Sequence, residues 1–249
     1  AAQLAEAKQK LAAFAKRTGR RPNVLVFIMD DVGWGDLGAY GGGVAVGAPT
    51  PHLDRLAREG LKLTSTYSQP SCSPTRATIM AGERGGLEGE IALPQLLSDA
   101  GYRTVGVGKW HLGENVQSQP QNVGFDEFYG FLTVANIYTE WRDPYFNPDI
   151  ATMRQLNELF ADYSIDFLKS RKGTSEPFFL YHATTGVHFD NYPAEQWEGK
   201  SPAGYPVKDV MVQLDDIAGR LVRTLQETGQ LEATLDFVTL DNGPEMETW

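Results

Sequence analysis

At 249 residues, 41% hydrophobic and 22% charged, the chain can bury a sizeable core and is predicted to form one large domain. A formal net charge of -10 argues against a nucleic-acid partner, because phosphate binding wants a basic face, but leaves open small anionic substrates that answer to local charge and metal. With one cysteine, no N-terminal secretory hydrophobic segment and no apolar run of membrane-spanning length, the chain as given reads as soluble. It is expected without signal peptide, structural disulfide or membrane span, in a bacterial cytoplasm or periplasm.

Residues 1–20 are rich in Ala, Lys and Gln and read as a short helix ending at Gly19, a solvated arm or docking helix without a catalytic role. Asn23 to Met29 is a continuous apolar run of strand length, the pattern of a strand buried on both faces of a parallel sheet, and it delivers Asp30 and Asp31 at its C-terminal end. Val32 to Gly47 is a Gly-rich loop. Thr50 and Pro51 open a helix as N-cap and first-turn proline, Leu53, Leu56 and Ala57 give it an apolar stripe, and Gly60 stops it; His52 reads as a surface or capping residue. Leu61 to Tyr67 alternates as a half-buried strand would.

That segment leads into Ser71-Cys72-Ser73-Pro74-Thr75-Arg76, which holds the only cysteine. Ser73 can cap a helix with Pro74 in its first turn, and Arg76 falls about one turn beyond Cys72. The sulfur would then sit at a positive helix N-terminus beside a guanidinium, an anion-receiving position. The same hexapeptide also fits an inert apolar filler before a helix.

Leu93 to Ala100 is a short helix closed by Gly101, and Arg103 to Val107 is a strand that hands over to Gly108-Lys109-Trp110-His111-Leu112-Gly113. From Pro120 to Asn147 many aromatics follow (Phe125, Phe128, Tyr129, Phe131, Tyr138, Trp141, Tyr145, Phe146), which either wall a pocket for an aromatic substrate or pack over the sheet edge. A helix over Met153 to Lys169 precedes a buried strand, Pro177 to Tyr181, which runs on to His182 and His188. Asp209 to Thr228 is the clearest helix, with Leu214, Ile217, Ala218, Leu221, Val222 and Leu225 on one packing face. The last strand, Asp236 to Leu240, ends in Asp241-Asn242-Gly243.

Strands alternating with helices predict an α/β fold with a largely parallel (mixed) central sheet and helices on both faces. Ligands in such sheets bind beyond the carboxyl ends of the strands. Four strands end there in reactive residues: Asp30 and Asp31, Lys109 and His111, His182 and His188, Asp241 and Asn242. Asp30, Asp31, Asp241 and Asn242 offer oxygen ligands only and suit a hard cation, Ca2+ or Mg2+, rather than zinc. Each pair alone would equally fit a turn or cap.

The spacing Cys72-x-Pro74-x-Arg76 resembles the signature of the type I sulfatases, formylglycine-dependent enzymes of the alkaline phosphatase superfamily, with Thr75 where that signature more often has Ser. A Cys-based phosphatase loop needs five residues between Cys and Arg, and here there are three. The resemblance extends in order through Asn23 to Asp31, Thr50 to Ala57, Cys72 to Arg76, Gly108 to Gly113 and Asp241 to Gly243. It implies an alkaline-phosphatase-like fold and arylsulfatase-like hydrolysis of a small-molecule sulfate ester. It also implies that a formylglycine-generating enzyme converts Cys72 to formylglycine, whose hydrate is the nucleophile. By the same resemblance Asp30, Asp31, Asp241, Asn242 and the residue derived from Cys72 bind the cation, and Arg76 and Lys109 hold formylglycine and sulfate oxygens. His111 would contact the hydrated aldehyde and His188 would protonate the leaving alcohol, while His182 matches no catalytic position and is a structural histidine.

Departures from the family pattern are the lack of a further Lys after Asp241-Asn242-Gly243 and of a small C-terminal sheet domain, a shorter loop over Gly82 to Glu90 without His, and an abbreviated region near Ile150. The expected organisation is therefore an arm over 1–20 and a C-terminally truncated catalytic domain over 21–249. Alternative readings are a phosphonate or phosphodiester hydrolase on the same metal-aldehyde site, and a non-catalytic truncated protein.

Overall fold

The computed structural model describes residues 2–133, 150–188 and 192–244. Five strands form one sheet in the order β3-β2-β4-β1-β5: β1 (Asn23–Met29), β2 (Arg103–Lys109), β3 (Glu127–Phe131), β4 (Phe178–Ala183) and β5 (Thr234–Leu240). Every pairing among them is parallel, so all five carboxyl ends lie along one edge.

The apolar run of β1 serves two cores, because successive side chains point to opposite faces. Leu25, Phe27 and Met29 pack with Leu156 and Phe160 of α5 (Ile150–Ser170) and with Leu214, Ile217 and Leu221 of α6 (Pro206–Glu227). Val26 and Ile28 pack on the other face with Ala77 and Met80 of α3 (Cys72–Ala81), flanked by Leu93 and Leu97 of α4 (Leu93–Asp99). α1 (Ala2–Thr18) contributes no residue to either core; Arg17 reaches Glu232 at 3.8 Å, and Arg20 beyond its end donates to Asn23 Oδ1 at 2.6 Å. No helix among the described residues is long and apolar enough to cross a membrane.

Several expectations need correction. Leu61 to Tyr67 is not a strand: it is irregular, with Leu61 and Tyr67 exposed, and it pairs with none of the described strands. β3, which pairs with β2, was hidden in the aromatic-rich segment. There Phe125 stacks on Phe179 and meets Trp110 edge-on, so these rings pack against the sheet; Tyr138, Trp141, Tyr145 and Phe146 lie outside the described residues. α2 (Pro51–Glu59) is not capped by the Thr50 side chain, which donates to Asp54 instead. Its first amides, His52 and Leu53, donate to Asp215 of α6 at 3.1 and 2.9 Å. α3 begins at Cys72, so Ser73 lies inside the helix rather than at its cap.

Candidate active site

Register sets the first contacts. Met29 lies opposite Leu240, so Asp30 and Asp31 leave β1 beside Asp241 and Asn242 leaving β5. Asp241 Oδ1 accepts from the amides of Asp31 (3.0 Å) and Asn242 (2.9 Å), and Asn242 Nδ2 donates to Asp31 Oδ1 at 2.7 Å. On the β4 side, the Asp30 amide donates to Gly186 O (3.1 Å) and its carbonyl accepts from Val187 N (2.5 Å), which ties the loop carrying His188 to the end of β1. His188 Nε2 stands 3.9 Å from Asp31 Oδ2.

β2 and α3 bring the cations. At Gly108 (φ 95) a Cβ would fall 1.8 Å from the Ala183 carbonyl oxygen, so glycine alone allows β2 this close to β4 just before Lys109. Lys109 Nζ donates to Asp30 Oδ2 at 2.5 Å and lies 3.4 Å from Cys72 Sγ. Arg76, one turn into α3, donates to Asp30 Oδ1 (3.1 Å), to Asp241 Oδ2 (3.0 and 3.3 Å) and to Lys109 O (2.6 Å). The entry to α3 is locked by Thr75, whose hydroxyl accepts from Gln69 N and donates to Ser71 O, both at 3.0 Å.

All of these charges are buried. Burial alone would raise the Asp30 carboxyl, but Lys109 and Arg76 hold it below the usual carboxylate range. Burial raises Asp31, with Asn242 and His188 opposing, and burial together with the charge of Asp30 pushes Asp241 up to about 6. Burial and the surrounding carboxylates, Asp30 first, drive the Cys72 thiol well above its ordinary value, so the sulfur is no thiolate nucleophile at neutral pH. Burial, with Lys109 and Arg76 nearby, lowers His111 to about 4 and leaves it neutral.

The donor set fits a cation. Oxygens of Asp30, Asp31 and Asp241 and the sulfur of Cys72 lie within 4.8 Å of one another, and Asp31 Oδ2 and Asn242 Oδ1 are buried without a hydrogen-bond partner among the described residues. Three carboxylates face two fixed cations, Arg76 and Lys109, so the cluster carries one surplus negative charge when all are ionised. A divalent ion reverses that sign and makes the pocket receptive to an anion. Asp31 and His111, both at φ 56, are the non-glycine residues with positive φ among those described, and both border this cluster.

A family model described as Sulfatase matches residues 22–248. The chain belongs to the sulfatase family. It is 34% identical to N-acetylgalactosamine-6-sulfatase of Homo sapiens over 89% of this chain and 50% of that protein, and 30% identical to arylsulfatase A of Homo sapiens over 91% and 53%. The crystal structure of PsFucS1 sulfatase from Pseudoalteromonas sp. superposes with a TM-score of 0.91 at 39% identity, covering 98% of this chain and 59% of that one. The chain thus spans about half the length of the curated relatives it matches.

Within this sulfatase fold the remaining histidines separate cleanly. His182 is buried inside β4, which extends to Ala183; it lies 2.8 Å from Ser164 Oγ, stacks on Phe27 and is lowered to about 3 by burial, so it belongs to the core. His52 packs against Gly219 of α6. Sequence reading overlooked Tyr181, a fully buried residue on the α3 side of β4 whose charge environment includes Arg76. The available signal was strand alternation, which puts Tyr181 on the face opposite His182.

Proposed function

We propose that this chain hydrolyses sulfate monoesters, with sulfated sugars as a substrate class suggested by the name of its N-acetylgalactosamine-6-sulfatase relatives. The observation that carries the reading is the buried cluster of three carboxylates and two cations around Cys72, whose charge a divalent ion would turn positive. Asp30, Asp31, Asp241 and Asn242 would hold the ion, calcium or magnesium, which supplies positive charge for a developing oxyanion.

Cys72, protonated and shielded as a thiol, is oxidised to the formylglycine aldehyde by a formylglycine-generating enzyme, and addition of water to that aldehyde supplies the nucleophilic hydroxyl. Lys109, 3.4 Å from the Cys72 sulfur, and Arg76 provide fixed charge for that side chain and for sulfuryl oxygens. His111, neutral at working pH, is suited to accept a proton from the residue derived from Cys72. His188, tied to β1 through the Gly186–Val187 backbone, donates a proton to the leaving alcohol. Residues 1–20 act as an arm outside the catalytic unit over 21–249, and the absence of disulfides around the lone Cys72 supports a bacterial cytoplasm or periplasm.

The test is peptide mass spectrometry of the Cys72 segment after co-expression with the modifying enzyme, combined with rates on an aryl sulfate and an aryl phosphodiester. Formylglycine at position 72 and faster sulfate release are expected. Unmodified thiol throughout sinks the nucleophile assignment, and preference for the phosphodiester would select the alternative hydrolase on the same site.

A further inference from the structure

Asp36 and Lys208 form a buried ion pair that the proposed chemistry does not use, Lys208 Nζ lying 2.9 Å from Asp36 Oδ1 with side chains 7% and 5% exposed. A buried pair of this kind contributes little net stability relative to an apolar pair, so its value lies in the geometry it enforces. Asp36 spends its other oxygen on the ligand loop: Oδ2 accepts from the Gly33 amide at 2.9 Å, two residues after Asp31. A Cβ on Gly33 would stand 2.7 Å from that oxygen and 3.0 Å from Pro244 Cδ, so Gly33 is wedged between Asp36 and the residue that follows Asp241-Asn242-Gly243. Asp36 is pinned in turn, since a Cβ on Gly42 would fall 2.6 Å from the Asp36 carbonyl.

Asp31 needs such support. Its φ of 56 is disfavoured for a residue with a side chain, and its own amide is held from β5 by Asp241. On its downstream side the first side-chain tether to its loop is the Asp36 bond to Gly33, anchored through Lys208 in the first turn of α6.

We propose that Asp36 and Lys208 are a positioning couple that holds the loop after β1, and with it Asp31, in the geometry that binds the cation. The inference rests on the reading of Asp30, Asp31, Asp241 and Asn242 as cation ligands. Supporting residues that orient ligands change metal affinity by roughly 10–100-fold when removed, and that is the expected effect here.

The experiment is calorimetric titration of the EDTA-treated full chain with calcium. Asp36→Ala and Lys208→Met should each weaken binding by about tenfold or more, and Lys208→Arg should recover most of it. Arg220→Met, which breaks the Arg220–Glu158 ion pair between α5 and α6, is the control for a stability loss away from the loop. If a single variant does not fold, the paired Asp36→Asn, Lys208→Met variant, with no unpaired buried charge, is read in its place with the same expected loss. Binding within about threefold of wild type in the Asp36 and Lys208 variants, or an equal loss in Arg220→Met, overturns the positioning role while leaving the cation site standing. Wild type that binds neither calcium nor magnesium overturns the cation-site reading itself and this inference with it.

Discussion

Replacing Arg76 with Met should destabilise the cation-free protein by about 3–5 kcal/mol near neutral pH, and the deficit should shrink on acidification. The guanidinium serves Asp30, Asp241 and the Lys109 carbonyl, all fully buried. Domains of ordinary size have only ~5–15 kcal/mol in total, so the loss is readable without abolishing folding in a well-packed chain. The pH dependence follows from the two carboxyls. Asp241 is raised to about 6 in the intact site, so the stability linked to its proton is present below the unfolded carboxyl value of about 4 and is lost as pH rises through about 6. Asp30 behaves oppositely: with its carboxyl held low by Lys109 and Arg76 against burial, its contribution is present above about 4 and lost as pH falls through the lowered value. Removing Arg76 lifts both carboxyls, which strengthens the first dependence and weakens the second. Urea unfolding of EDTA-treated wild type and Arg76→Met at about pH 5 and about pH 7.5 should show a deficit smaller by roughly 1 kcal/mol or more at the lower pH. An identical deficit at both values would refute the charge argument and assign the loss to packing.

Calcium at about 100 times its dissociation constant should stabilise wild type by ~2.7 kcal/mol, a Tm rise of roughly 5–11 °C, and Asp31→Asn should reduce it; no shift with calcium or magnesium would remove the ligand assignment. His188→Ala should slow alkyl sulfate hydrolysis far more than nitrophenyl sulfate hydrolysis, because a proton donor matters least for a leaving group that is already a stable anion. Equal losses would make His188 a binding residue. With His111 lowered to about 4 by burial, kcat/KM should fall only as pH drops toward that value, and a limb nearer the ordinary histidine pKa of about 6.5 would exclude His111 as the base.

Much of the fold could be read from strand-length apolar runs. Asn23 to Met29 announces β1 because a strand covered on both faces needs no polar alternation. Glu127 to Phe131 does not announce β3: its rings look like any aromatic cluster, and only pairing with Val105 to Lys109 makes it a strand. The reverse error at Leu61 to Tyr67 has the same origin, since alternation specifies a strand only where the segment pairs with a sheet, and this segment pairs with none of the described strands. In the site, strand ends and the Cys72 hexapeptide pointed to the groups the structure gathers. What they could not give is Arg76 bridging Asp30 and Asp241, Asp215 capping α2, or Lys208 reaching Asp36. Each joins residues 46 to 172 positions apart, separations on which helix and strand periods carry no information.

The division of labour between the two buried cations follows from the same contacts. Arg76 touches Asp30 after β1, Asp241 after β5 and the backbone of β2, so it cross-links three strand ends from one helix. Lys109 meets Asp30 with one amine and directs the same amine to Cys72. Arg76 and Lys109 thus share the neutralisation of Asp30, Arg76 alone also reaches Asp241, and the two apolar cores offset the remaining cost of collecting like charges, at roughly 1.5–3 kcal/mol for each fully buried large side chain. A substitution at Arg76 confounds assembly with chemistry. Lys109→Met leaves the Arg76 bridges in place and withdraws charge beside both Asp30 and residue 72, so comparing its stability loss and its rate loss with those of Arg76→Met separates the cross-link between strand ends from the charge supplied beside residue 72.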